Sequence, residues 1–249
     1  MIPEITALML YYWRRSVAEE AVESFLRQTY PHKKLLIVNT HPDPVHFEQD
    51  YPQIEVHNIT PDTFANLNEK YNYAFSQIKT NWWCPWDSDD LWLPWHFENI
   101  VSQIPEGQHP HPLKVGLAQC YFRINGAIER VGWNMWANCV WESRDADGNL
   151  HPKCDATLAK NCDSQILTNI PWTRHWLDLR KYPKSYIFRW DQTPHGSAVT
   201  GEEGLAHHAK CREHMYAIRN TEPLRPHWDH DYVAQAKEFD NQPTPKEQK

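Results

Sequence analysis

The chain of 249 residues holds eight glycines against nineteen prolines, no C-x-x-C pair among its six cysteines, no long hydrophobic run and no surplus of positive charge. Each shortage excludes something. With 25 lysines and arginines against 32 acidic residues the net charge is −7, which leaves no overall electrostatic footprint for nucleic acid or an anionic membrane; a local basic groove stays open. The apolar opening, Ile2 to Tyr12, contains Glu4 and runs into Arg14-Arg15, too short to span a bilayer and charged at the wrong end for a secretory signal. A soluble, cytoplasmic protein without a transmembrane segment is expected, and with it reduced core thiols at Cys84, Cys120, Cys139, Cys154, Cys162 and Cys211. His207, Cys211 and His214 share one face of a helix expected over Leu205 to Ile218. No fourth ligand stands at a usual zinc spacing, so a surface helix is the expected reading.

What is abundant is tryptophan, thirteen in all. Aromatic side chains line sugar and base pockets, but Trp is also a bulky core filler, and the core takes precedence here. In chain order the pattern alternates between strand and helix. Ile5 to Tyr12 is a continuous apolar run, the mark of a strand buried on both faces. Ser16 to Glu19 reads as a capping box opening a helix whose stripe is Val17, Ala21, Val22, Phe25 and Leu26, ended by Tyr30-Pro31. Strands follow at Lys33 to Asn39 and Ile54 to Ile59, a helix at Asp62 to Ile78, and a strand at Trp82 to Trp86. Such alternation predicts an α/β fold with a mostly parallel sheet, whose ligands lie outside the carboxyl ends of the strands. Further on, the expected elements are a helix at Pro94 to Ile104, a linker to Pro112, and a hairpin of Val115–Ile124 and Ala127–Trp133 about Asn125-Gly126. A strand at Cys139 to Glu142, a mainly helical stretch from Cys154 to Tyr182 and a strand at Tyr186 to Trp190 follow, and disorder is expected from Asn241 onward.

The stretch that carries chemistry is Trp86-Asp87-Ser88-Asp89-Asp90-Leu91-Trp92-Leu93-Pro94, where a buried strand delivers three carboxylates at its end. Two unpaired carboxylates about 4 Å apart repel by roughly 4 kcal/mol at a surface-like dielectric. The cluster therefore demands a cation, a shared proton or a basic partner. Oxygen ligands suit Mg²⁺ or Mn²⁺; the alternative is an Asp-rich turn capping the helix near Pro94.

Taken together, the first hundred residues resemble the family 2 glycosyltransferases of the GT-A fold. The matching pieces are Tyr12-Trp13-Arg14 after the first strand, Ser24 to Pro31 at the helix end, Leu35 to Asn39, Lys70-Tyr71-Asn72, and the D-x-D-D-x-x-x-P run from Asp87 to Pro94. Asn161-Cys162-Asp163 falls where the family carries its acceptor motif, and Tyr186-Ile187-Phe188-Arg189-Trp190 with His195 and Ser197 is similar to a segment of some members. The resemblance implies a GT-A half over 1–104, an acceptor-binding half over 113–218, and a Pro-rich charged tail over 219–249. It implies a metal-dependent, inverting transfer of a sugar from a nucleotide-sugar donor to an acceptor hydroxyl. Asp163 is then the general base, with Asp155 the alternative; Tyr12, Asn39, Lys70, Asn72, Asp87 and Arg189 touch the donor. Asp87, Asp89 and His195 hold Mn²⁺ or Mg²⁺, while Asp90 either orients neighbours or caps the next helix. The acceptor is a glycan, a small hydroxylated compound or a hydroxymethylated pyrimidine in phage-type modified DNA. A non-catalytic nucleotide-sugar-binding module and a metal-dependent phosphohydrolase are the competing classes. Asn39-Thr40-His41-Pro42 stands where the family usually has two acidic residues, one pairing with uracil, so the resemblance names neither base nor sugar.

Overall fold

The computed structural model describes residues 2–11, 14–106, 111–133, 136–144, 153–157, 166, 172–189, 219 and 221–242. Its first half follows the apolar pattern closely. The uninterrupted runs Ile5–Tyr11 (β1) and Lys33–Asn39 (β2), with Ile54–Asn58 (β3) and Trp82–Pro85 (β4), form parallel pairs, β4 beside β1 and β3 outside β2. The sheet continues through Cys139–Glu142 (β9), Leu113–Gly116 (β6) and Thr173–Trp176 (β10), in the order β10-β6-β9-β4-β1-β2-β3. Only β9 runs against its two neighbours, so six of the seven strands are parallel and their carboxyl ends share one edge. Helices Arg15–Leu26 (α1), Leu67–Gln77 (α2) and His96–Val101 (α3) lie in the intervening crossovers.

A second sheet of four strands, Leu91–Trp92 (β5), Tyr186–Arg189 (β11), Gln119–Ile124 (β7) and Ala127–Trp133 (β8), carries its own small core of Leu91, Leu93, Tyr121 and Ile187. A C-terminal helix, Tyr232–Asn241 (α4), packs Tyr232 and Ala236 onto it. Upstream, Leu224 exchanges backbone hydrogen bonds with His46 and Glu48, so the chain returns to the first half before reaching α4. Expected disorder beyond Asn241 falls almost wholly on residues 243–249, outside those described.

Several local expectations are corrected. Helix α1 begins at Arg15 with no side-chain cap, because Glu19 pairs with Arg15 at 3.0 Å and accepts the Arg225 N–H instead of closing a box with Ser16. Helix α2 begins at Leu67, five residues later than its periodicity indicates. Asn66 accepts the Glu69 N–H while Glu69 accepts that of Ala65, a reciprocal cap. Val115 to Ile124 is not one strand. Gly116 ends β6 in the first sheet, and the Asn138 amide takes up the carbonyls of Leu117 and Gln119 where the chain crosses to the second. The hairpin turn itself is as expected, with Asn125 and Gly126 at φ of 51° and 86°. Thr173–Trp176 is a strand where a helix was expected; its edge pairing with β6 prevails over the local pattern. The expected helix at Leu205–Ile218 lies outside the described residues.

Tryptophan builds the core. Trp83, Trp86, Trp92 and Trp141 are fully buried, and Trp86 stacks on Trp92 with ring centroids 4.0 Å apart. Each of these two donates its indole N–H to a carbonyl, that of Ala21 and of Ala137 respectively. Cys84, Cys120 and Cys139 are buried and free, as expected, whereas Cys154 is disulfide-bonded, its partner outside the described residues. Among the described residues no helix is long and apolar enough to cross a membrane.

His96 sits fully buried beside this cluster, its Nδ1 2.8 Å from Ser185 Oγ. Burial lowers its pKa to about 3. Between pH 6.5 and 3 the unfolded chain takes a proton there that the native state refuses, so this contribution weakens as pH falls through that window, by up to about 1.4 kcal/mol per unit. Burial and the charge of Asp89 raise Asp90 to about 7, which acts in the opposite sense over much of the same range. Comparison isolates His96: urea midpoints of His96→Gln measured from pH 7.5 to 5 should fall less steeply than those of the wild type. Parallel slopes would show that His96 is not held neutral.

Candidate active site

The carboxyl edge of the parallel sheet collects the loops that follow β1, β2 and β4. The loop after β2 is held from within. Asn39 is fully buried; its amide donates to the Asp43 carbonyl at 3.0 Å and to Asn58 Oδ1 at 2.9 Å, and its Oδ1 accepts the His41 N–H. Lys70 reaches up from α2, donating its Nζ to the Tyr11 carbonyl at 2.8 Å and to Thr40 Oγ1 at 2.9 Å. It thus joins the ends of β1 and β2, and burial lowers its pKa to about 7. An amine so placed takes up its proton readily when an anion approaches.

Asn72 faces another way. Its amide donates to the Cys154 carbonyl and accepts the Cys154 N–H, while Asn68 and Asn66 donate to the carbonyls of Asp155 and Ala156. Three asparagines, at the N-cap and within α2, therefore seat residues 154–156 along that helix. Asp155, the alternative base, is exposed and accepts from Thr157, which lowers its pKa.

After β4 comes the acidic turn, where the Asp90 N–H donates to the Asp87 carbonyl and three aspartates meet three environments. Asp87 is half-buried. Asp89 is partly open and pairs with the Arg14 guanidinium. Asp90 is buried, accepting from the Tyr186 hydroxyl and, at 2.8 Å, from the Arg189 N–H. It orients a neighbouring strand, the first of the two expected roles, and does not cap the helix.

Arg189 was expected on the donor. It is fully buried instead, its guanidinium divided among the Asp89 carbonyl, the Val17 carbonyl and the Glu20 carboxylate. Glu20 also accepts from the Tyr232 hydroxyl and the Asp229 N–H, so α4 and the acidic turn are tied to one buried carboxylate on α1. Neither Glu20 nor Tyr232 was singled out from sequence. Tyr12, Asp163 and His195 lie outside the described residues, so Asn39, Lys70, Asp87 and Asp89 are the expected site residues found along this edge.

The turn offers carboxylate oxygens, the donor type that a hard divalent cation takes. Two hard carboxylate oxygens leave the remaining positions to phosphate and water, the way Mg²⁺ is usually held, and the Arg14 guanidinium already stands in as a cation on Asp89. Among the described residues no three His, Cys, Asp or Glu side chains cluster for a metal.

No family model and no curated protein matches the chain. Solved structures do. Residues 1–349 of TarS from S. aureus, in complex with UDP-GlcNAc, superpose with a TM-score of 0.51 at 11% identity, over 85% of this chain and 66% of that one. A second structure of the same fragment gives 0.49 at 12% identity, over 75% and 60%. The mannosyltransferase PcManGT from Pyrobaculum calidifontis, in complex with GDP-Man and Mn²⁺, gives 0.42 at 13%, over 57% and 45%. The chain spans less than two thirds of the length of each. At such identity the likeness is one of fold: this chain has the GT-A fold of the glycosyltransferases.

Proposed function

We propose that the protein is a metal-dependent, inverting glycosyltransferase that moves a sugar from a nucleotide-sugar donor to an acceptor hydroxyl. One observation carries the reading: an acidic turn at the carboxyl edge of a GT-A sheet, with Lys70 and Arg14 placed on the same edge. The complex of TarS with UDP-GlcNAc supports a nucleotide-sugar donor. Asp87, Asp89 and His195 hold Mn²⁺ or Mg²⁺, which when bound neutralises charge on the departing diphosphate. Tyr12, Asn39 and Lys70 belong to the donor pocket, while Asn72 acts by seating the segment at Cys154. Arg189 acts through the turn, fixing the Asp89 main chain. Asp163 accepts the proton of the acceptor hydroxyl; that oxygen forms a bond to the anomeric carbon, the bond from that carbon to the diphosphate breaks, and its electron pair leaves with the nucleoside diphosphate. The acceptor is a glycan, a small hydroxylated compound or hydroxymethylated DNA.

A panel of nucleotide sugars with Mn²⁺ or Mg²⁺, read first by thermal shift and then by release of nucleoside diphosphate, tests this. One donor should raise the melting temperature only with the cation and should be slowly hydrolysed. Binding without release on any acceptor, DNA containing 5-hydroxymethylcytosine included, would mark a binding module; cleavage of phosphate bonds without regard to the sugar would mark a phosphohydrolase.

A further inference from the structure

Two arginines approach the acidic turn from opposite sides and are held differently. Arg189 comes from beneath, with none of its side chain exposed, locked between the Asp89 carbonyl, the Val17 carbonyl and Glu20. Arg14 comes from the mouth. It directly precedes α1 in the loop after β1, and its pair with Asp89 leaves 18% and 22% of the two side chains exposed. The pair is part-buried and keeps contact with water, which the Arg189–Glu20 pair does far less. Strands β1 and β4 are parallel neighbours, so their following loops, and with them Arg14 and Asp89, open on one edge. The first turn of α1 carries no acidic residue. Arg14 takes one carboxylate oxygen of Asp89, Oδ2, through one guanidinium nitrogen, and a Mg²⁺ or Mn²⁺ coordinated by that oxygen would displace it.

We infer that Arg14 is an exchangeable counter-ion and a further donor-binding residue. It closes on Asp89 while no divalent cation is present. When the cation takes Asp89, the guanidinium is released at the mouth and turns to the donor diphosphate, whose planar-fork recognition Arg suits better than Lys. The inference rests on the glycosyltransferase reading for its second half only; the exchange at Asp89 concerns the cation alone.

The test uses the full chain and two probes, Mn²⁺ followed by water-proton relaxation, and UDP or GDP followed by calorimetry in saturating Mn²⁺. Without nucleotide, Arg14→Gln should bind Mn²⁺ about five-fold more tightly than the wild type, because a competitor worth about 1 kcal/mol is gone. With Mn²⁺ present it should bind the nucleoside diphosphate about ten-fold more weakly, the loss of one charge-assisted contact. Arg14→Lys, which keeps the charge and loses the fork, should fall between wild type and Arg14→Gln in both assays. Equal Mn²⁺ affinity in wild type and Arg14→Gln, or no Mn²⁺ binding in either, overturns the inference. The expected Mn²⁺ difference together with no binding of any nucleoside diphosphate by the wild type would retain the counter-ion and remove the donor reading.

Discussion

Arg189→Leu is expected to cost about 3–5 kcal/mol of folding stability, the range for breaking a buried ion pair from one side. Glu20 would be left with its carboxylate buried, partnered by the Tyr232 hydroxyl and the Asp229 N–H but with its guanidinium gone. The main chain at Asp89 and the first turn of α1 would lose a donor at the same stroke. Adding Glu20→Leu should recover part of the loss, because removing both charges relieves the stranded one, and a further Tyr232→Phe should recover more by taking away the orphaned hydroxyl. Urea unfolding of the single, double and triple variants measures the series. A cost below about 1 kcal/mol for Arg189→Leu would mean that the network decorates the fold and does not hold it.

Asp89→Ala should leave stability nearly unchanged, since that carboxylate is already partly open to water, yet remove cation-dependent donor binding altogether. Asp163→Ala should do the reverse, sparing binding and lowering transfer by about 10²–10⁴, the usual contribution of a general base. Asp90→Ala differs from both. It strands the Tyr186 hydroxyl and the Arg189 N–H, so a stability loss of about 1–3 kcal/mol comes first and any loss of turnover follows from it. Thermal melts with and without donor and Mn²⁺ separate the three aspartates. Full transfer by Asp163→Ala would remove it as the base.

The contrast among those aspartates shows where sequence reading stops. Strands β1 and β2 were legible because a stretch buried on both faces must be apolar, as Ala7–Tyr11 and Leu35–Val38 are. The chemical weight of Asp87 to Asp90 was legible too, since clustered carboxylates demand compensation. Which one meets water, which a guanidinium and which a tyrosine depends on partners up to a hundred residues away, as with Arg189 and the Asp89 carbonyl. Nothing local encodes that distance. The break between β6 and β7 was hidden for the same reason, because the Asn138 amide that settles it belongs to another loop. Trp172 to Trp176 suited a helix as well as a strand until an open sheet edge was available for it.

The seating of residues 154–156 on α2 has a consequence of a different kind. Asn66, Asn68 and Asn72 grasp only amides and carbonyls of that segment, never what its residues display outward. A mooring that reads the main chain is indifferent to the cargo. Cys154 is held by its disulfide as well, but the side chains of Asp155 and Ala156 can be exchanged for others without removing the hydrogen bonds that seat their carbonyls.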